Sequence, residues 1–146
     1  MEREDKELLL KDLCARLPYK PIVHIDDCGI WDLRGVDHDD SAELRDRVIV
    51  WHGENYPSSK NSFPIINCKP YLFPLSSMTE EQKRDLISLF KCCIIIKQYE
   101  INFPNYEDNN MDNWMKVCIW CYKNHIDIYG LISKGLANDA TGLNIY

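Results

Sequence analysis

The stretch KPYLFPLSSMTEEQ, Lys69–Gln82, joins a proline-flanked apolar run to the start of a helix. Thr79 is followed three residues later by Gln82, which is the spacing of a capping box. In that arrangement each of the two side chains bonds the backbone N–H of the other residue. Glu80 and Glu81 lie where the positive end of a helix favours acidic side chains. The stretch therefore predicts that a helix begins at Glu80.

The first half of the same stretch, KPYLFP, is predicted to lie against the protein without joining a sheet. Proline has a fixed φ and no backbone N–H, so Pro70 and Pro74 are poor members of a sheet ladder. Between them, Tyr71, Leu72 and Phe73 are expected to pack on the body of the protein. We interpret this half as a rigid apolar segment that leads into the helix.

Apolar periodicity predicts three further helical segments. Leucines recur at three- and four-residue spacing within residues 4–17, and Pro18 ends that pattern. The helix that begins at Glu80 is predicted to reach about residue 93, and a last long helix is predicted over residues 111–124. A short helix or turn is expected at residues 129–134, with Gly135 as its stop.

Strands are predicted where β-branched and aromatic residues cluster. Residues 21–25 and 30–33 flank Asp27-Cys28-Gly29, which is typical of a hairpin turn. Residues 48–51, 65–66 and 94–103 are further strand candidates, whereas residues 34–46 and 52–64 are predicted to be loops or turns. The expected fold class is α+β: an N-terminal helix, a small antiparallel sheet, and two longer helices of the C-terminal half packed on it.

Composition excludes several classes of protein. A chain of 146 residues, with 45% hydrophobic and 27% charged residues, is expected to form one compact domain over residues 1–146. No apolar run approaches the ~20 residues of a membrane-spanning helix, and the charged first residues do not resemble a secretory signal. A formal net charge of −6 without a basic stripe argues against binding to nucleic-acid phosphates. We therefore expect a cytosolic protein that binds neither membrane nor nucleic acid.

The cysteines suggest a metal-binding alternative. Seven unevenly spaced cysteines make a poor disulfide framework, so reduced thiols are expected. Cys118, Cys121 and His125 have the spacing of zinc ligands, but in one helix Cys118 and His125 would stand ~10 Å apart along the axis. At most two of the three could share one metal. The remaining ligands would come from elsewhere, for example Cys92 and Cys93.

The same residues also fit a buried helix face, which needs no metal or other cofactor. They belong to a set that recurs at helical spacing: Met111, Trp114, Met115, Cys118, Cys121, Tyr122 and His125. Trp120 falls opposite that face beside lysines and is a candidate anchor for a protein partner. The alternative, which we favour because Val117 and Ile119 make the helix apolar on most sides, is that another element covers Trp120.

Two other segments are candidate contacts for a protein partner. The acidic stretch supplies Asp37, Asp39 and Asp40, and the turn-rich segment 52–64 supplies Tyr56. The acidic stretch lacks the glycine and the bidentate glutamate of an EF-hand, so a solvated acidic loop is the simpler interpretation. No nucleophile elbow, phosphate-binding loop, dinucleotide fingerprint or zinc-protease motif occurs in the chain. The sequence thus names no catalytic residue.

Three stretches carry a resemblance: LLLKDLCARLPY at residues 8–19, the opening stretch, and KNHIDIYGLISKGLANDATGLNIY at residues 123–146. Together they resemble a family of small proteins recurrent in bacterial genomes, prophages and other mobile elements. The resemblance covers about a third of the chain and implies no activity, cofactor or catalytic residue. Where that family often has H-F-D-Y-R-G-L-I, this chain has Tyr129 in place of the arginine, which argues against anion binding at that turn.

These observations lead to one expected function and two alternatives. We expect a non-enzymatic cytosolic accessory protein, of the kind that phages and prophages encode, that binds a host or viral protein. A cysteine-rich metal-binding module and a small enzyme are the alternatives. No cofactor is expected for the leading interpretation, and the sequence does not specify an oligomeric state.

Overall fold

The computed structural model describes residues 1–37, 46–51, 61–90, 95–97, 100–102 and 111–146. Within these residues the chain forms three α-helices: α1 (Arg3–Arg16), α2 (Glu80–Phe90) and α3 (Met111–Lys123). It also forms nine strands: β1 (Ile22–Ile25), β2 (Gly29–Asp37), β3 (Arg47–Trp51), β4 (Asn61–Pro64), β5 (Cys68–Pro74), β6 (Ile95–Lys97), β7 (Glu100–Asn102), β8 (Ile126–Asp127) and β9 (Asn138–Asp139). The mixture of helices and strands confirms the α+β class.

The main sheet is larger than predicted, and it is mixed where an antiparallel sheet was expected. Its strand order is β4-β3-β2-β1-β5-β8, and β9 also pairs with β5. The pairs from β4 to β5 are antiparallel, whereas β8 and β9 both run parallel to β5. A separate antiparallel pair joins β6 to β7.

Strand β5 corrects the prediction for KPYLFP. This segment is an interior strand that pairs on both of its edges: the carbonyl of Leu72 accepts the N–H of Ala140, just after β9, whereas the N–H of Phe73, on the opposite edge, donates to the carbonyl of His125, just before β8. The expected packing of its apolar residues is confirmed, because Leu72 is fully buried and Tyr71 is nearly so, while Phe73 packs at the margin of the core. The segment is therefore both part of the sheet and part of the core.

Register explains how Pro70 fits inside a sheet. Pro70 lies opposite Val23 of β1. The N–H of Asp26 donates to the carbonyl of Asn67 at 3.0 Å, and bonded and non-bonded pairs alternate along an antiparallel ladder. Pro70, three residues beyond Asn67, therefore occupies a non-bonded pair, where no N–H has to donate to β1. On its other side, the parallel pairing begins only at Tyr71, so no ladder bond is lost there.

Local signals near the turns and caps agree with the structure, with three corrections. The hairpin between β1 and β2 has positive φ at Asp27 (61°) and Gly29 (87°), as the turn prediction requires. Strand β2 extends to Asp37, so residues 34–37 form strand where a loop was predicted. Residues 65–66 belong to a 3₁₀ turn, Ile65–Asn67, where a strand was predicted, and residues 61–64 of the predicted turn-rich segment form β4.

The capping box before α2 forms as predicted. Thr79 Oγ1 accepts the N–H of Gln82 at 3.1 Å, and Gln82 Oε1 accepts the N–H of Thr79 at 2.9 Å. Helix α2 then runs from Glu80 to Phe90, and the predicted continuation to residue 93 lies outside the described residues. This agreement is expected, because a capping box is a contact between residues three apart.

The buried apolar residues form two core clusters. The first packs Leu9 and Leu13 of α1 on the buried residues of the sheet, including Val23, Ile25 and Leu33. The second gathers residues of α2, α3 and β8 around the turn that precedes α2: Leu75, Met78, Leu86, Val117, Cys121 and Ile126. The prediction that two C-terminal-half helices cover the sheet is therefore corrected, since α1 covers it and α2 and α3 build the second cluster.

Helix α3 is rotated about its axis relative to the prediction. Its fully buried side contains Val117, Cys118 and Cys121, whereas Met111 and Met115 of the predicted core face are exposed. At 100° per residue, the buried side is displaced by about 50° from the predicted face. In the described part of the chain, every helix is too short or too polar to cross a lipid bilayer.

Candidate functional site

The cysteines of α3 lie on its buried side and have little thiolate character. Burial raises the pKa of Cys121 to about 12, and burial also raises the pKa of Cys118. A cysteine that binds a metal must lose its thiol proton, so without a metal both residues are protonated thiols near pH 7. Among the described residues, no three side chains of His, Cys, Asp or Glu are grouped as a metal site would require. Cys92 and Cys93 lie outside the described residues.

The predicted partner contacts have different positions in the structure. Asp37 is exposed at the end of β2, where its partner across the strands is Arg47. Asp39, Asp40 and Tyr56 lie outside the described residues, so their role stays a prediction.

Trp120 is not opposite the core, because the rotation of α3 brings it to the border of the second cluster. Its side chain is half-buried and packs against that cluster. Its carbonyl accepts the side-chain N–H of Asn124 at 2.9 Å, which closes the last turn of the helix. Much of the apolar surface of Trp120 is therefore used inside the protein, in agreement with the alternative role stated for it.

A buried ion pair fixes the position of α3. Arg16 and Asp12, four residues apart in α1, are both fully buried. Arg16 donates from Nε and Nη2 to the two oxygens of Asp12 at 2.7 and 2.9 Å. Its Nη2 also donates to the carbonyl of Ile126 at 2.8 Å, just beyond the end of α3. A charge-assisted bond to a backbone carbonyl is directional, so it ties the C-terminal end of α3 to α1.

Aromatic contacts complete this attachment. The guanidinium carbon of Arg16 lies 5.1 Å from the ring centre of Tyr122, a distance typical of a cation–π contact. The hydroxyls of Tyr122 and Tyr129 are 2.8 Å apart, which links α3 to the turn after β8. Burial raises the pKa of Asp12, and the guanidinium of Arg16 opposes that rise. The arrangement holds one charge pair inside the protein: Nε and Nη2 of Arg16 are hydrogen-bonded, whereas Nη1 is buried with no partner among the described residues.

His125 ends α3 in an unusual environment. It adopts a φ of 55°, which is the left-handed conformation that commonly closes a helix. Its ring stacks on Tyr146 with centres 3.8 Å apart, and its Nδ1 is buried without a hydrogen-bond partner among the residues that the structure describes. Burial, followed by the nearby positive charge of Arg16, lowers the pKa of His125 to about 4. His125 is consequently neutral near pH 7 and acts as a packed end residue of the helix.

Asp127 has a structural role that sequence reasoning did not identify. Its carboxylate accepts the backbone N–H groups of Leu131 and Ile132, both at 2.9 Å, and of Tyr129 at 3.3 Å. This carboxylate therefore closes the turn that follows β8. A short helix or turn was predicted at residues 129–134, and these residues form this turn, with Gly135 at a positive φ of 71° after it.

The outward side of α3 carries a line of apolar residues. Met111, Met115 and Ile119 follow one another at four-residue spacing and are 74%, 54% and 47% exposed. Residues four apart lie on one face of a helix, so the three side chains form a continuous surface, which we name the outer stripe. Apolar residues exposed singly are normal, whereas a continuous exposed surface is typical of a binding site.

Charged residues border the outer stripe. Asp112 and Lys116 are exposed on the same flank, each one residue after a methionine of the stripe. In the part of the chain that the structure describes, neither side chain takes part in an ion pair. The outer stripe thus has the composition of an interface, with an apolar centre and a polar margin. Methionine side chains are flexible and polarizable, which suits them to contacts with another protein.

Comparison with known proteins identifies no relative. No protein-family model, curated protein or solved structure matches the chain. The resemblance to small bacterial and prophage proteins therefore stays a prediction, and the function has to be argued from the surface itself.

Proposed function

We propose that this chain is a non-enzymatic protein-interaction module and that the outer stripe of α3 is its binding surface. The observation that carries the proposal is the exposure of Met111, Met115 and Ile119 on three successive turns of one helix. Burying three such side chains against a partner would contribute several kcal/mol before the costs of association, at ~25 cal/mol per Å². A contribution of that size is enough to make one helix face the centre of an interface.

The attachment of α3 supports the proposal. Arg16, Tyr122 and His125 hold the inner side and the C-terminal end of the helix, so the outer stripe is presented on a rigid support. A preorganised surface binds with less loss of conformational entropy than a mobile one. The polar cluster therefore serves the binding surface without touching the partner.

We place the module in the cytosol, and its partner among host or viral proteins. Buried, protonated thiols such as Cys68 and Cys121, whose pKa values burial raises to about 12, suit a reducing compartment. The resemblance to small prophage-encoded proteins supports a host or viral partner. Nothing in the proposal requires a cofactor.

A matched pair of substitutions tests the proposal. Ile119→Glu places a charge in the outer stripe, whereas Ile30→Glu places the same charge on the sheet at a residue with almost equal exposure, 49% against 47%. Tagged protein is used to capture partners from bacterial host cells, followed by quantitative mass spectrometry. We expect a reproducible partner with wild type and Ile30→Glu and its loss with Ile119→Glu.

Circular dichroism and melting curves serve as controls, and they should be alike for the three proteins. If the captured partner is retained by Ile119→Glu, or lost equally from both variants, the outer stripe is not the binding surface. Absence of any reproducible partner would argue against a host or viral target.

A further inference from the structure

The outer stripe has the geometry to pack on a second copy of itself. We propose that the free protein is a twofold-symmetric dimer in which α3 of one copy crosses α3 of another in antiparallel orientation. This inference rests on the proposed function, because it uses the same surface and names an occupant for it. A twofold interface needs a surface that is complementary to itself.

The spacing of the stripe meets that requirement. Residues at four-residue spacing form one ridge of a helix, and the packing of two such ridges, at a crossing angle of about 50°, is the commonest helix contact in globular proteins. Met115 is the central residue, with Met111 and Ile119 each ~6 Å away along the axis at 1.5 Å per residue. With Met115 at the twofold axis, Met111 of each copy meets Ile119 of the other. All three apolar side chains are then covered.

The charges favour the antiparallel orientation. Asp112 and Lys116 lie on one flank of the stripe, ~4.5 Å before and ~1.5 Å after Met115 along the axis. An antiparallel twofold pairing brings this flank against its own copy, with Asp112 displaced ~3 Å along the axis from Lys116 of the other copy. Symmetry forms this pair twice. In a parallel pairing the same flanks face away from each other, and the charges make no contact.

The lysines also approach each other in this arrangement. The two Lys116 residues are offset by only ~3 Å along the helix axis, so their like charges oppose the pairing unless the side chains diverge. Each lysine has a long flexible stem and can lean away from the twofold axis toward Asp112 of the other copy. Opposite-charge pairs at an exposed margin add little affinity, so these pairs select the orientation while the apolar stripe supplies most of the affinity.

Sedimentation velocity on the purified protein over a range of concentrations tests the dimer. We expect wild type to dimerise and Ile119→Glu to weaken the dimer about 100-fold or more, because a buried unpaired carboxylate is costly. Ile30→Glu, outside the stripe, should dimerise like wild type. A wild-type protein that is monomeric at every concentration, or a dimer unaffected by Ile119→Glu, would overturn the inference.

A charge swap tests the pairing in more detail. Asp112→Lys alone and Lys116→Asp alone each place like charges opposite one another at both ends, and each should weaken the dimer about 10-fold. The double variant restores opposite charges and should recover most of the affinity. If the double variant loses as much dimer affinity as the two single variants together, the antiparallel contact is excluded.

Crosslinking identifies the orientation. In the Met111→Cys/Ile119→Cys variant, an antiparallel dimer forms a disulfide between positions 111 and 119 of different copies, and a parallel dimer links 111 to 111 and 119 to 119. Within one helix the two positions are ~12 Å apart, too far for a disulfide. Peptide mapping by mass spectrometry distinguishes the products. Links of the parallel type would overturn the inference.

The proposed function and the proposed dimer can each be disproved without the other. If the purified protein stays monomeric and Ile119→Glu loses a captured partner, the dimer hypothesis is excluded and the interaction module remains supported. If the protein forms a dimer that depends on Ile119 and no partner is captured, the hypothesis of a host or viral target is excluded, and self-association remains as the function of the stripe.

Discussion

The two sides of helix α3 show how similar residues take opposite roles. The inner side buries Val117, Cys118 and Cys121, of which Val117 and Cys121 belong to the second core cluster. Arg16 binds the carbonyl of Ile126 just beyond the helix. The outer side presents Met111 and Met115 to solvent. Both sides are mainly apolar, so hydrophobicity alone does not decide which one is buried.

The difference between the two sides comes from the polar contacts at the end of the helix. A hydrophobic contact is non-directional and tolerates rotation of the helix, whereas the bond from Arg16 to the carbonyl of Ile126 has one geometry. The aromatic contact of Arg16 with Tyr122 adds a second constraint. We infer that these contacts select the inner side, and that the outer stripe is left exposed as a consequence.

Loss of Arg16 should have the largest effect on this arrangement. Arg16→Met leaves the fully buried carboxylate of Asp12 without its cation, which should lower the free energy of unfolding by about 3–5 kcal/mol. Urea denaturation monitored by circular dichroism measures the change.

The control is the double variant Asp12→Leu/Arg16→Met, which replaces both charges by apolar side chains and should recover most of the stability. It also tests the orientation of α3, because it lacks the directional bond. If the single variant were as stable as wild type, the ion pair would not hold the inner side. We expect the double variant to be stable but to show altered tryptophan fluorescence, because Trp114 and Trp120 both lie in α3.

Acidification should cause the next-largest loss of stability, through His125 on the inner side. The pKa of His125 is lowered to about 4 from an ordinary 6.5, because the ring is buried beside Arg16. As the pH falls below 6.5, the unfolded chain binds a proton that the folded protein does not, so stability declines between pH 6.5 and 4 and this contribution levels off below pH 4. The full decline is on the order of 2–3 kcal/mol.

The variant His125→Asn isolates this contribution. Asparagine tolerates the positive φ at this position and does not titrate, so the difference between the two stability curves belongs to His125. Urea midpoints from pH 7.5 to 4 provide the measurement. Parallel curves for the two proteins would mean that His125 is protonated in the folded state as readily as in the unfolded one.

Sequence patterns predicted the elements that depend on near neighbours. The capping box at Thr79 and the hairpin at Asp27–Gly29 involve residues two or three apart, and both formed as expected. Helices α1 and α3 were also located correctly to within one or two residues. These features are fixed by local backbone chemistry, which a single sequence contains.

Features that depend on distant residues were not predicted. Pro70 entered a sheet because of its register against β1 and the late start of β9, and neither can be read from KPYLFP. The orientation of α3 depended on Arg16, about a hundred residues earlier in the chain. One signal was available, since Asp12 and Arg16 occupy the same face of α1 as Leu9 and Leu13. Polar residues at core positions indicate a buried pair.

A direct comparison of the two sides is made by truncating one residue on each. Val117 is fully buried and Ile119, two residues later, is 47% exposed. Val117→Ala should cost about 1–3 kcal/mol because it removes two methyl groups from a packed core. Ile119→Ala should change the stability of the monomer by about 0.5 kcal/mol or less. Equal losses, measured by thermal melts at low concentration, would show that the outer stripe is covered within the monomer.

A modest loss of stability is expected at the support of the inner side. The hydroxyl of Tyr146 accepts the N–H of Ile22 at 3.3 Å and donates to the carbonyl of Tyr71 at 2.7 Å, and so joins β1 to β5 beyond their last ladder pair. Tyr146→Phe keeps the ring that stacks on His125 and removes only this bridge. Loss of the two bonds should cost about 1 kcal/mol, because water can replace part of them at this half-exposed position.

Hydrogen exchange can locate that loss. The amide of Ile22 should exchange faster in Tyr146→Phe, whereas the amide of Phe73, which donates to the carbonyl of His125 at 2.8 Å, should be unaffected. Faster exchange at both amides would mean that the hydroxyl bridge also supports the junction between β5 and the end of α3. In that case the burial of the inner side of α3 depends on Tyr146 as well as on Arg16, and the preference for burying this side is distributed over more contacts than the ion pair alone.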